Sequence, residues 1–102
     1  MDIQELRREA QTMQPQLTAD RRRLHRNPEA GAVLPETVAY VKERLTEMGY
    51  HPQELGGGLT ATVTGTDTGR CILLRADMDA LRGQEQSVLS FRSENGCMHA
   101  CG

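Results

Sequence analysis

The chain has 102 residues, 37% of them hydrophobic and 25% charged, with a formal net charge of −2, which is the composition of one small soluble domain and not of a disordered or fibrous chain. The near-neutral balance argues against nucleic acid as a partner, because the one basic run, Arg21-Arg22-Arg23 with Arg26, is short and lies inside a helical pattern. Met1 to Glu5 contain no apolar signal core, and no apolar run approaches the ~18–20 residues that span a bilayer, so no membrane partner and a cytoplasmic location are expected.

Apolar residues at Ile3, Leu6, Ala10, Met13, Leu17 and Leu24 follow a spacing of three and four, missed once at Asp20. That stripe predicts an amphipathic helix over residues 2 to about 26. Pro15 should bend or interrupt it, and Asn27-Pro28 should end it, since a residue before proline avoids the α region. The next helix is predicted over 35 to 48. Pro35 suits a first helical position, Val38, Val41, Leu45 and Met48 repeat at three and four, and Gly49 stands where a left-handed cap is wanted.

Tyr50 to Leu55 form a short strand candidate broken by Pro52, followed by the loop Gly56-Gly57-Gly58. From Leu59 to Thr64 the residues Leu59, Ala61 and Val63 alternate with threonines, which predicts a strand with one buried face. Gly65-Thr66-Asp67-Thr68-Gly69 has the composition of a turn. Cys71-Ile72-Leu73-Leu74 is a continuous apolar run of the kind found in interior strands covered on both faces. Two helices and about three strands cannot cover both faces of such a sheet. The chain therefore reads as an incomplete sheet, part of a larger α/β domain.

The apolar run leads into Arg75-Ala76-Asp77-Met78-Asp79. If the strand continues, its period of two places Asp77 and Asp79 on one face at the carboxyl end, the edge where open α/β sheets bind ligands. Paired carboxylates there could ligate a hard cation, orient a metal-bound histidine or move a proton, although two acids after a strand are more often solvated loop residues. At the C-terminus, Cys97, His99 and Cys101 offer thiolate and imidazole ligands suited to zinc. Three ligands within five residues rarely close a tetrahedron by themselves, and buried or incidental thiols are the competing reading. The odd cysteine count argues against a disulfide framework and for reduced thiols. His25, near a predicted helix end, is assigned no catalytic role, because a histidine there is usually a partly exposed side chain favoured by the helix dipole.

Three segments together, Arg23 to Glu29, Leu74 to Leu81 and Met98 to Gly102, resemble in order and spacing the N-terminal part of the N-acyl-L-amino-acid amidohydrolases, the aminoacylase, hippurate hydrolase and auxin-conjugate hydrolase types of two-metal peptidase. The resemblance implies a phosphorylase/hydrolase-like (zinc-peptidase) catalytic domain, of which residues 1–102 are an N-terminal fragment without the lid through which such enzymes dimerise. It implies hydrolysis of N-acyl amino acids with two divalent metals, zinc or manganese, in the full-length parent. Cys101 matches a ligand shared by the metals. Asp79 matches an acid at the active-site strand end with an orienting or electrostatic role, Asp77 occupies the place of a metal-binding histidine in related peptidases, and Glu85 matches a recurrent acid of the following loop, with His99 beside them.

The chain departs from the family pattern at Arg82-Gly83, where a proline and an apolar residue are usual, and at Val88 and Ser90, where glycine and proline are common. The general base and the later histidine ligands are not in this sequence. As a 102-residue chain it is expected to bind no metal stably and to be inactive. Two other readings follow from the residues: a non-catalytic protein that self-associates or binds a partner through an open sheet edge, and a small Cys/His metal-binding module.

Overall fold

The computed structural model describes residues 1–66 and 69–101 and shows a small α/β arrangement of three helices and two two-stranded antiparallel sheets. The turn expected at 65–69 includes Asp67 and Thr68, which lie outside the described residues, as does Gly102.

Helix α1 spans Ile3–Thr12 and begins with a capping box: the Glu5 amide donates to Asp2 Oδ1 at 2.8 Å, and the Asp2 amide donates to Glu5 Oε2 at 3.0 Å. This satisfies two of the amides that a helix start leaves without partners. Helix α2 spans Gln14–Arg26, with Met13 at the junction and Pro15 in the first turn. The single helix expected over 2 to 26 is thus two, because proline cannot donate to the preceding turn but is well placed at a helix start.

Helix α3, Pro35–Glu47, ends one residue before the expected boundary. Its end is a Schellman motif, with Gly49 at φ +92°, its amide donating to Thr46 O and the Tyr50 amide to Leu45 O, both at 3.0 Å. The other end is held from a distance: the Glu29 carboxylate accepts from the Thr37 amide at 2.6 Å and from the Glu36 amide at 3.2 Å. Burial pushes the Glu29 carboxyl up, but these bonds outweigh it and leave it below its ordinary value.

Strands β1, Gln53–Leu55, and β2, Gly58–Thr60, form a hairpin closed by Gly56 and Gly57, both at positive φ, the combination a two-residue type I′ turn requires. Strands β3, Leu81–Arg82, and β4, Cys97–Met98, form the second pair, and the Gly83 amide donates to Gly96 O just beyond it. A parallel bridge joins Ala30 to Ala80, with the Ala80 amide donating to Glu29 O at 2.7 Å. This bridge ties the segment after α2 to the start of the second hairpin.

The strands differ most from the sequence reading. Beyond Thr60 the alternating stretch to Thr64 has no strand partner among the described residues, and the run Cys71-Ile72-Leu73-Leu74 is not a strand. Ile72, Leu73 and Leu74 are 83–90% exposed. An interior strand exists only when neighbours pair with its backbone and layers cover both faces, and the described residues supply neither. Among the described residues the apolar core is correspondingly small: Leu34, Val38 and Ala80 are its buried hydrophobic members, and no residue of α1 or α2 is buried. The radius of gyration, 15.9 Å, exceeds the ~13 Å of a compact chain of this length.

Polar contacts do much of the joining. Asp20 of α2 accepts from Tyr40 Oη at 2.5 Å and from Arg44 Nε at 3.1 Å, while Arg23 lies over the Tyr40 ring, 4.4 Å from its centre. These contacts fix α2 against α3, which sets the direction in which the end of α2 presents His25.

Candidate active-site cleft

A cleft of about 450 Å³ is lined by the C-terminal half of α2, the segment 77–81 and the end of the chain, with Arg21, His25, Asp77, Asp79, His99 and Cys101 among its walls. Residues from three separated stretches of sequence meet there. Each arrives by a definable route: His25 from the last turn of α2, the two aspartates from the extended segment before the Ala80 bridge, and His99 and Cys101 from the chain leaving β4.

Asp77 and Asp79 are both exposed, and Asp77 accepts from Arg75 at 2.7 Å. His99 is half-buried, and its Nε2 is buried without a hydrogen-bond partner. Burial pushes the His99 imidazole below its ordinary value, the neighbouring His25 adds to this and Asp79 opposes it. A neutral His99 with an unmatched ring nitrogen is ready to exchange a hydrogen bond with a ligand.

Cys101 is exposed, and Cys97, on β4, is half-buried with its carbonyl accepting from Ser93 Oγ. All three cysteines are free thiols. Among the described residues no three His, Cys, Asp or Glu side chains converge closely enough to hold a metal ion. Side chains two residues apart on an extended chain point the same way but are separated by a full pleat, so Cys97, His99 and Cys101 do not close a site by themselves. The residues present do not fit a complete metal centre.

Behind the cleft wall lies Glu85. It is 8% exposed, and its carboxylate accepts from His25 Nε2 at 2.8 and 2.9 Å, from Ser87 Oγ at 2.7 Å and from the Ser93 amide at 2.9 Å. The hydrogen bond from His25, then those from Ser93 and Ser87, hold its carboxyl down at about 2. A carboxylate only accepts, so Nε2 of His25 carries a proton. The loop of 83–96 is stitched further by Gln84, whose side chain donates to Ser93 O and accepts from the Gly96 amide. Gly83, one of the departures from the family pattern, has φ +145°, a conformation that favours glycine. Val88 and Ser90 are exposed.

His25 is the residue that sequence reasoning set aside. Edge-to-face with both Phe91 and His99, at ring-centre distances of 5.8 and 6.3 Å, it links the loop to the cleft. Its presence within the Arg23 to Glu29 segment was the signal available; the partner that gives it meaning is sixty residues away.

The chain is 42% identical over 94 residues to an N-acetyl-L-cysteine deacetylase of Bacillus subtilis, covering 89% of this chain and 23% of the relative. It is 36% identical to an N-acyl-L-amino acid amidohydrolase of Geobacillus stearothermophilus, over 100% of this chain and 28% of the relative, and 36% identical to thermostable carboxypeptidase 2 of Saccharolobus solfataricus, over 98% and 26%. The chain thus spans about a quarter of the length of the curated relatives it matches. No family model and no solved structure matches.

Proposed function

We infer that this chain, a sequence relative of the N-acyl-amino-acid amidohydrolases, deacetylases and carboxypeptidases, supplies one wall of the active-site cleft of a hydrolase that cleaves the amide bond of N-acyl amino acids. The observation that carries the reading is the convergence of His25, Asp77, Asp79, His99 and Cys101 on one cleft from three separate segments. The larger architecture proposed is the phosphorylase/hydrolase-like, zinc-peptidase catalytic domain, with residues 1–102 as its N-terminal part and a lid domain outside this sequence. No helix among the described residues is long and apolar enough to cross a membrane, and a cytoplasmic setting, with its thiols reduced, suits the reading.

In such an enzyme Cys101 would contribute a thiolate towards holding a pair of divalent metals, zinc or manganese, whose chemistry is to lower the pKa of a bound water. The described residues do not assemble that pair alone. What they can do is narrower. Asp79 offers a carboxylate at one side of the cleft while Asp77 is paired with Arg75, His99 offers a neutral imidazole, and His25 presents a ring fixed by Glu85. Without further ligands and a general base, the 102-residue chain is inactive. Assay of N-acetyl and N-benzoyl amino-acid hydrolysis by the pure chain with added Zn²⁺ or Mn²⁺ tests this, and turnover would defeat the claim of inactivity.

A second reading is favoured by the exposed run Ile72-Leu73-Leu74, which offers apolar side chains and unpaired backbone to another chain. On this view the protein is a non-catalytic member of the group that self-associates or binds a partner. A monomer whose sedimentation does not change with concentration would count against self-association.

A further inference from the structure

Glu85 and His25 form a pair whose geometry decides what the cleft can recognise. The carboxylate accepts a hydrogen bond from His25 Nε2 at 2.8 and 2.9 Å, and it is itself fixed by Ser87 Oγ and the Ser93 amide. His25 therefore cannot rotate or exchange tautomers without breaking a network that also orders the loop of 83–96. Its other ring nitrogen, Nδ1, makes no hydrogen bond among the described residues. Among the described residues the buried polar side-chain atoms without partners are Thr37 Oγ1 and His99 Nε2, so Nδ1 keeps contact with solvent, and His25 is one of the residues that line the cleft.

We propose that Glu85 is a positioning residue that, when the His25 ring carries a single proton, locks it as the Nε2–H tautomer, so that Nδ1 acts as a hydrogen-bond acceptor in the cleft and selects ligands carrying an N–H donor. In a neutral imidazole one nitrogen donates and the other accepts, and the bond made by one settles the role of the other. A carboxylate on Nε2 leaves only the lone pair at Nδ1. A carbonyl oxygen approaching that nitrogen meets acceptor against acceptor, whereas the N–H of a secondary amide is matched. Resting on the proposed function, the ligand is an N-acyl amino acid whose amide nitrogen bears hydrogen, and a tertiary amide, with nitrogen fully substituted, is disfavoured.

The test is a long-range ¹H–¹⁵N correlation spectrum of the histidine rings in the whole ¹⁵N-labelled chain at about pH 8, above the usual imidazole range, with His25 assigned against His51→Gln and His99→Gln. The expected result is a single His25 tautomer with Nε2 protonated and Nδ1 bare. In Glu85→Gln, whose amide puts a donor where a carboxylate oxygen accepted, both tautomers should appear. A bare Nε2, a doubly protonated ring, or a Glu85→Gln spectrum like the wild type would overturn the proposal, and the wild-type spectrum decides even if the variant fails to fold. Titration with N-acetylglycine should move the Nδ1 resonance, and N-acetylsarcosine, which lacks the N–H, should bind about tenfold more weakly, the size of one hydrogen bond; equal binding would overturn the selectivity. If neither probe moves any resonance of the cleft, the N-acyl amino acid reading fails, and the tautomer alone then decides the role of Glu85.

Discussion

His25 Nε2 lies 2.8 Å from one carboxylate oxygen of Glu85 and 2.9 Å from the other, joining the last turn of α2 to a loop sixty residues further on. The bond gives Glu85 an acidity far from the ordinary, at about 2 against 4.5. The unfolded chain takes up this proton near 4.5, while the folded chain resists it down to about 2. The contribution of Glu85 to stability is therefore full above about 4.5 and is lost as pH falls towards 2. Urea midpoints measured across that window should fall with pH in the wild type and fall less steeply in Glu85→Gln; parallel curves would refute the assignment.

Tyr40→Phe removes the donor to Asp20 and leaves the aromatic ring under Arg23. The expected cost is about 1.5–3 kcal/mol, the usual worth of a hydrogen bond to a charged group. Asp20→Ala should cost more, since it also leaves Arg44 without its partner on α2. Chemical denaturation of the two variants compares them directly.

Glycines 56 and 57 make a paired test of the hairpin. Both have positive φ, but a Cβ on Gly57 would fall 2.4 Å from the carbonyl oxygen of Ala32, whereas one on Gly56 meets nothing within 4 Å. Gly56→Ala should cost about 1 kcal/mol from backbone strain alone. Gly57→Ala should cost clearly more, because backbone must move, and equal midpoints for the two would show that the close approach to Ala32 does not exist.

Leu73→Lys places a charge at a side chain that is 88% exposed. Thermal stability should change by no more than about 0.5 kcal/mol, as for other surface substitutions. If the run 71–74 mediates self-association, sedimentation at high concentration should show less of it in the variant than in the wild type.

Zinc titration of the reduced chain should reveal no site of micromolar or better affinity, since no three donors converge among the described residues. Tight binding abolished by Cys101→Ser would mean that the C-terminal segment closes around metal in a way the present geometry does not show.

Helix α3 was legible from its own residues: Pro35 at the start, a three-and-four apolar repeat, and Gly49 where the chain must turn left-handed. The interruption by Pro15 was equally local, since a missing amide hydrogen acts on the turn beside it. The order and spacing of three motifs also pointed to the N-acyl-amino-acid amidohydrolases, and relatives of that kind are similar to this chain. The run at 71–74 was not legible in the same way. Its apolar residues state a need for burial, but whether that need is met depends on strands and layers elsewhere, and none of the described residues meets it. For His25 the neighbouring residues suggested only a helix end, and its role emerged from a carboxylate brought close by the Ala30 to Ala80 bridge and the second hairpin. The sequence by itself determined the helices, the capping box of α1, the left-handed end of α3 and the tight turn, because those depend on hydrogen bonds and sterics within a few residues. Only the tertiary structure decided which polar groups face each other across the cleft, because hydrogen-bond pairing between distant segments depends on where the intervening chain carries them.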